Sequence, residues 1–243
     1  MKKILLAALV AAPVLGMAAE PENPDSTGFT FTDVKVIPHS PVRDQNKSGT
    51  CWCFAGTSFF ENEILRKTGK EVDLSQMFTV RHCYNDKAQK YQRVGGTINF
   101  AQGGSIMDVP YVWKRYGAVP LEVYQGLEYG EAKHDHYEMA DVLTSYMQAI
   151  AKPGRKKLSP AWKAGLDGIL DSYLGELPEK FTYQGKEYTP RTFADAMGLD
   201  MNDYVPVTSW THHPFYEAFP VEVADNWLWA PYYNVPMEEM KAI

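Results

Sequence analysis

The stretch that decides the fold is PVRDQNKSGTCWCFA, residues 41–55. It starts as a polar loop that contains a glycine, and at Cys51 the sequence changes to a helical pattern of apolar residues that continues to Lys67. Gly69 follows as a stop signal. The pattern predicts a helix that begins at Cys51. Its predicted apolar face contains Trp52, Ala55, Phe59, Phe60 and Ile64, and its predicted solvent face contains Glu61, Glu63, Arg66 and Lys67.

A cysteine at the start of a helix is well placed for reactivity, because the free N–H groups and the positive dipole end stabilise a thiolate. When a thiolate attacks a carbonyl, the resulting oxyanion needs hydrogen-bond donors. Gln45 offers a side-chain amide six residues before Cys51, and the Cys51 backbone offers a second N–H. Gly49 would let a substrate approach the backbone closely. On these residues alone, a cysteine beside tryptophan at a helix start is more often a packed core residue.

The complete string of residues 41–55 resembles the active-site signature of papain-like cysteine peptidases. In that signature a glutamine and a glycine-containing loop precede Cys-Trp, and a small residue stands four positions after the cysteine. The resemblance implies that Cys51 is the nucleophile and that Gln45 belongs to the oxyanion hole. It also implies that Gly49 and Trp52 contribute to substrate binding.

A second segment, Gln102-Gly103-Gly104-Ser105, looks like the family segment whose glycines line the cleft. The resemblance implies that Gly103 and Gly104 pair with the extended backbone of a peptide substrate, a mode of binding that reads backbone more than side chains.

Within the family, the sequence resembles the bleomycin hydrolase branch, also called aminopeptidase C. The matching features are Leu74-Ser75-Gln76, the helical residues from about 131 to 177, residues 181–190 and Tyr233-Asn234-Val235-Pro236. The resemblance implies an α+β papain-like fold over residues 29–243, with a helical insertion over about 131–210. This chain is expected to supply mainly the helical domain, with most of the β-barrel domain absent. It further implies an aminopeptidase that acts on peptides without a cofactor and, when complete, forms a homohexamer.

The family also needs a histidine base and an orienting asparagine, in His-Ala and Asn-Ser-Trp contexts that this sequence does not contain. Three explanations stay open: a truncated chain, a split enzyme whose histidine lies on another chain, or a noncatalytic peptide-binding protein. None of the six histidines is assigned the base role. The pair His134 and His136 is expected at the surface, and no metal site is predicted. A chain that lacks its barrel domain is expected to expose apolar surface and to aggregate or unfold readily.

The first residues read as targeting sequence. Residues 1–19 combine Lys2 and Lys3, a short apolar run and small residues, which predicts a secretory signal peptide. Residues 20–28 read as a flexible leader. The mature protein is therefore expected to be exported, periplasmic or extracellular, and not held in a membrane. Members of the bleomycin hydrolase branch are commonly cytosolic, so the predicted signal peptide is a departure from that branch.

Charge and cysteine content limit the partners. The formal net charge of −6 becomes −8 when the signal and its two lysines are removed, which argues against nucleic-acid binding. The three cysteines are an odd number, so at least one thiol is unpaired within the chain. A disulfide between Cys53 and Cys83 and two buried free thiols are equal alternatives.

Spacing of apolar and turn residues predicts further elements. They are a strand over residues 29–37, helices over 74–82, between 104 and 117, over 138–150 and after a cap at Ser159-Pro160, a hairpin over 181–188 turning at Gln184-Gly185, and a short helix starting at Thr189-Pro190. Residues 205–243 show no strong period.

Overall fold

The computed structural model describes Gly28, residues 31–154 and residues 157–243. The signal peptide and nearly all of the leader lie outside the described residues. The chain divides into two units, Met1–Ile37 and Pro38–Ile243. In the first unit residues 31–37 form no strand, and Val34 and Val36 are exposed. The predicted strand is therefore wrong over its described part, because residues 31–37 do not form the ladder of hydrogen bonds that defines a strand.

The second unit begins with the predicted helix. The structure contains α1 (Cys51–Thr68), α2 (Gln76–Arg93), α3 (Asp108–Tyr116), α4 (Tyr137–Ile150), α5 (Ala161–Leu174), α6 (Pro190–Ala196) and α7 (Met237–Met240). The start of α1 at Cys51 is confirmed, and so is its end, where Gly69 takes a left-handed conformation and its N–H donates to the Leu65 carbonyl. Three placements on α1 are wrong. Glu61, expected to face solvent, is buried, and its carboxylate accepts from the Leu74 N–H at 2.8 Å. Ala55 and Phe59, expected on the apolar face, are exposed.

Helix α2 is much longer than the predicted span of 74–82. Ser75 caps it by accepting from the Phe78 N–H, and it continues past His82 to Arg93. The sequence hides this length, because the second half of α2 buries polar residues such as Asp86 and Lys87 along with the apolar ones. Helix α2 packs against α1, α3, α4 and α5 and is the centre of the core. The largest fully buried side chains include Phe78, Met77, Ile64, Met139, Leu143 and Phe193.

Most predictions for the middle of the chain are confirmed. The hairpin pairs β1 (Phe181–Tyr183) with β2 (Lys186–Tyr188), and α6 follows with a capping box between Thr189 and Thr192. Helix α4 begins one residue before its predicted start. The Ser159 cap is wrong, because Pro160 occupies the N-cap position of α5 and no side chain caps that helix.

The segment from residue 205 onward contains a small sheet that the sequence pattern did not predict. Its strands are β3 (Val207–Thr208), β4 (Ala218–Pro220) and β5 (Pro231–Asn234), with β5 in the centre, parallel to β3 and antiparallel to β4. Strands of two to four residues are too short to show a period of two. Among the described residues, no helix is both long enough and apolar enough to cross a membrane.

Candidate active site

Helix α1 presents one accessible thiol. Cys51 is its first residue and is exposed, whereas Cys53 and Cys83 are buried, and all three are free. Of the two alternatives for Cys53 and Cys83, the structure therefore shows free thiols. Burial raises the pKa of Cys53 to about 12 and the pKa of Cys83 well above its usual range. Only Cys51 combines solvent access with the end of α1 where N–H groups are free to stabilise a thiolate.

The loop before Cys51 is closed by its own hydrogen bonds. The Gln45 amide donates to the Ser48 carbonyl at 2.6 Å, and the Ser48 hydroxyl donates to the Gln45 carbonyl at 3.0 Å. Ser48 and Thr50 join their hydroxyls at 2.6 Å. A primary amide carries two N–H donors. The bond to Ser48 uses one of them, so a second remains for an acceptor such as an oxyanion.

A segment far along the chain supports this loop. The Lys47 N–H donates to the His134 carbonyl at 3.1 Å, and the His136 N–H donates to the Lys47 carbonyl at 3.1 Å. The Asn46 amide also donates to the His134 carbonyl, at 3.0 Å. Together the two backbone bonds form a short parallel bridge between Lys47 and Asp135. The bridge holds the backbone at Lys47, which is two residues before Gly49 and four before Cys51.

The same segment corrects the prediction that His134 and His136 lie at the surface. His136 is completely buried, neither of its ring nitrogens has a hydrogen-bond partner, and burial lowers its pKa to about 4. His134 is partly buried, its ring packs edge-on against Phe54, and burial lowers its pKa as well. The segment looks polar in sequence, and only its pairing with the loop before Cys51 places these rings inside.

Gln102 connects the loop to helix α1. Its side-chain oxygen accepts from the Gly49 N–H at 2.7 Å, and its backbone carbonyl accepts from the Trp52 indole at 3.0 Å. A Cβ on Gly49 would stand 2.9 Å from the Cβ of Gln102, so this glycine is needed for the approach of Gln102. Gln102 was not among the predicted site residues. Its place directly before the Gly-Gly pair was the available signal.

Gly104 lies against the ring of Trp52, the residue after Cys51, and Gly103 lies beside Asp225. A Cβ on Gly104 would come within 2.7 Å of the Trp52 ring, and a Cβ on Gly103 would collide with the carboxylate of Asp225. The Gly103 carbonyl accepts from the Lys87 ammonium at 2.5 Å. Gly104 therefore has no room for a side chain beside the Trp52 ring, whereas a side chain at Gly103 would displace the exposed carboxylate of Asp225. Their role in substrate binding stays a prediction.

A buried polar cluster underlies the two glycines. Asp108 is completely buried and accepts from the Trp227 indole at 2.7 Å and from the Ser105 N–H at 3.3 Å. Burial raises the pKa of Asp108 to about 6 and lowers the pKa of the buried Lys87. Nothing in the local sequence identified this cluster, because it joins α2, α3 and a loop more than a hundred residues away.

No histidine ring among the described residues hydrogen-bonds the Cys51 thiol. His39 contacts the Ser40 carbonyl, His82 stacks on Tyr116, and His134 and His136 pack against each other. His212 and His213 both contact Glu222. The described residues thus contain the predicted nucleophile and the predicted oxyanion loop, and they bring no imidazole to the thiol.

A family model described as papain family cysteine protease matches residues 29–154, just over half of the chain. The chain belongs to the papain family of cysteine proteases. A solved structure, that of PepW from Lactobacillus rhamnosis HN001, matches with a TM-score of 0.67 at 20% identity and covers 88% of this chain and 57% of that chain. The α+β papain-like fold is therefore confirmed. The prediction that most of a barrel domain is absent stays a prediction.

Curated relatives confirm the resemblance to the aminopeptidase C branch. Aminopeptidase C of Listeria monocytogenes is 23% identical over 266 aligned residues, which cover 93% of this chain and 60% of that protein. Aminopeptidase C of Lactococcus lactis subsp. cremoris is 24% identical and covers 84% of this chain and 55% of that protein. Human cathepsin L2 is 46% identical over 37 residues, 15% of this chain. The chain spans about 60% or less of the length of these relatives.

Proposed function

We propose that this papain-family chain carries the nucleophilic half of an exported cysteine aminopeptidase. The observation that carries the proposal is the exposed thiol of Cys51 at the first residue of α1, next to a loop whose geometry is fixed on both sides by hydrogen bonds. A rigid loop is what an oxyanion hole requires, since its donors must point at the developing charge before the reaction starts.

In the proposed reaction the Cys51 sulfur attacks the carbonyl carbon of a peptide bond, and the oxyanion accepts from the Gln45 amide and the Cys51 backbone N–H. The amine of the second fragment leaves with a proton, and water then hydrolyses the thioester. The proton transfers need a base. Because none of the described imidazoles contacts the thiol, we assign the base to a histidine outside the six of this sequence, on a continuation of the chain or on a second chain.

Exopeptidase action is supported by the relatives named aminopeptidase C, whose alignments cover most of this chain. Hexamer formation is part of the proposal for the complete enzyme. Export rests on the signal-like residues 1–19.

A test uses the protein expressed from its complete gene. We expect release of fluorophore from aminoacyl substrates with a free amino group, little release from N-acetylated ones, and complete loss of both in Cys51→Ser. Cys53→Ser is the matched control. Cys53 lies two positions after Cys51 and is buried, so its replacement should leave the thioester chemistry at Cys51 unchanged. Hydrolysis of N-acetylated peptides at equal rates would refute the aminopeptidase assignment but not the peptidase assignment.

A noncatalytic peptide-binding protein is the second candidate, favoured by the lack of a described imidazole at Cys51. In that case both kinds of substrate stay intact while a peptide with a free amino terminus still binds, equally in the native protein and in Cys51→Ser. Activity that disappears with Cys51 contradicts this candidate.

A further inference from the structure

A group of three side chains lies at the small sheet, with no part in the proposed peptidase chemistry. His212 and His213 stand in the loop between β3 and β4, and Glu222 follows β4. The His213 Nε2 atom is 2.8 Å from one carboxylate oxygen of Glu222, and the His212 Nε2 atom is 3.3 Å from the other. The three ligand atoms, one from each residue, all lie within 4.8 Å of one another.

These distances suit a metal ion. Nitrogen and oxygen ligands of zinc lie about 2.0–2.2 Å from the ion, so two ligands on a tetrahedron stand roughly 3.3 Å apart. The His212 Nε2 atom lies 3.3 Å from one Glu222 oxygen, and the His213 Nε2 atom lies 2.8 Å from the other. With one ligand atom taken from each residue, the three atoms stand within 4.8 Å of one another, which is close to the spacing that an ion requires. Small rotations of the exposed side chains of His212 and Glu222 would therefore admit an ion between the three groups.

The backbone under the two histidines is held in place. Asn234 is completely buried at the end of β5, and its side-chain oxygen accepts from the Trp210 N–H. Its side-chain nitrogen shares two N–H donors among the carbonyls of Trp210, His213 and Pro214, which lie 2.9–3.1 Å away. The His213 ring stacks on Phe219 of β4 with centroids 3.7 Å apart. A loop anchored in this way needs little ordering when it binds an ion, which favours affinity.

The charge of the group points the same way. Within the part of the chain that the structure describes, no lysine or arginine forms an ion pair with Glu222. Two imidazoles and one carboxylate are a ligand set typical of zinc, with a fourth position left to water.

We propose that His212, His213 and Glu222 bind a divalent transition-metal ion of the zinc class. The ion links the loop between β3 and β4 to the chain that leaves β4. The site is independent of the peptidase assignment, since it uses none of the residues around Cys51.

The test measures metal binding directly in the full chain, without a histidine tag. A Cys51→Ser background removes the accessible thiol, which would otherwise compete for the ion. Titration calorimetry with Zn²⁺ should show one equivalent per chain. Co²⁺ should compete for the same site and quench tryptophan fluorescence, because the Trp210 ring lies 5.3 Å from the His212 ring. Trp210→Phe should remove most of that quenching while Zn²⁺ still binds.

Variants decide whether these residues are the ligands. His213→Gln and Glu222→Gln should each weaken Zn²⁺ binding by at least about tenfold, the lower end of what even supporting residues cost at metal sites. His39→Gln is the matched control, since His39 is an exposed imidazole that hydrogen-bonds the Ser40 carbonyl and lies outside the proposed ligand set. Circular dichroism confirms folding of each variant. Absence of stoichiometric uptake, or uptake that both Gln variants retain, would overturn the proposal.

Discussion

The three thiols differ in solvent exposure, so an alkylating reagent should distinguish them. Cys51 is exposed, while Cys53 and Cys83 are buried and have raised pKa values. Since only an accessible thiolate reacts, we expect iodoacetamide near neutral pH to add one carboxamidomethyl group to the folded chain, at Cys51. Peptide mass spectrometry locates the label, and Cys51→Ser should take up none. Equal labelling of Cys53 under native conditions would show that α1 does not bury it.

His136 is expected to make the fold sensitive to acid. The folded pKa of about 4 lies below the ordinary value of 6.5, so between these values the unfolded chain binds more protons than the folded one. Stability should therefore be lost as the pH falls from about 6.5 to 4, by about 2 kcal/mol at pH 5 for this group. Asp135 and His134 are the charged neighbours, and they act in opposite directions.

Replacing the ring tests this account. His136→Phe keeps an aromatic ring in a site where neither nitrogen has a partner, and it removes the proton acceptor. Urea titrations of dilute protein near pH 7.5 and pH 5 should show a smaller loss of stability in His136→Phe than in the native chain. The exposed residue His39 provides a control, because His39→Phe should lose as much as the native chain does. An unchanged pH dependence in His136→Phe would mean that another group is responsible.

At the scale of elements, two helix-ending glycines allow a matched comparison. Gly69 after α1 and Gly117 after α3 both have positive φ values, of 70° and 95°. A Cβ at Gly69 would meet nothing within 4 Å, whereas a Cβ at Gly117 would collide with the backbone carbonyl of Pro190. That carbonyl accepts from the Ala118 N–H at 3.0 Å and holds α6 against the end of α3.

Gly69→Ala should therefore cost only the backbone term, about 1–2 kcal/mol. Gly117→Ala should cost about 3 kcal/mol or more, since the collision involves backbone that cannot move aside cheaply. Chemical denaturation of the two variants measures the difference. Equal losses would show that α6 can shift away from α3 without penalty.

The elements also show which parts of the fold a sequence can predict. The end of α1, the hairpin and α6 follow local rules, namely a helix stop at Gly69, a turn at Gln184-Gly185 and a proline after Thr189. The full length of α2 and the small sheet depend on contacts between distant segments, and local patterns did not predict them. Glu61 was placed on the wrong face for the same reason, since its partner Leu74 lies beyond the end of α1.

In the candidate site, too, local sequence predicts some residues, and distant contacts place the others. Cys51 and Gln45 could be named from the string around them, and the structure places them at a helix start and on the loop before it. Only the structure shows that Gln102 supports the loop before Cys51, because it accepts hydrogen bonds from the Gly49 N–H and the Trp52 indole. The buried Asp108, more than fifty residues from Cys51, has no local signature at all.

At the scale of the whole molecule, the unit Pro38–Ile243 leaves large apolar side chains in solvent. Exposed examples are Val42 at 93%, Val205 at 66%, Trp229 at 54% and Val223 at 49%. Val42 lies on the loop that leads to Cys51, and the other three lie in or beside the small sheet. Apolar surface of this kind is typical of a region that contacts another protein surface or associates with itself.

We therefore expect the chain, expressed alone as residues 38–243, to self-associate. Sedimentation velocity between about 1 and 50 µM should show a rising average mass, because association through apolar surface depends on concentration. Replacing Val42, Val205 and Val223 together by Thr should reduce the association, since these exposed valines pack little in the monomer and their loss should hardly affect its stability. Val112→Thr is the control, because Val112 is completely buried and its replacement should lower stability without reducing association. A monomer that stays soluble over the whole range and melts in one cooperative transition would contradict the prediction. It would also show that this unit does not require another surface to cover its apolar side chains.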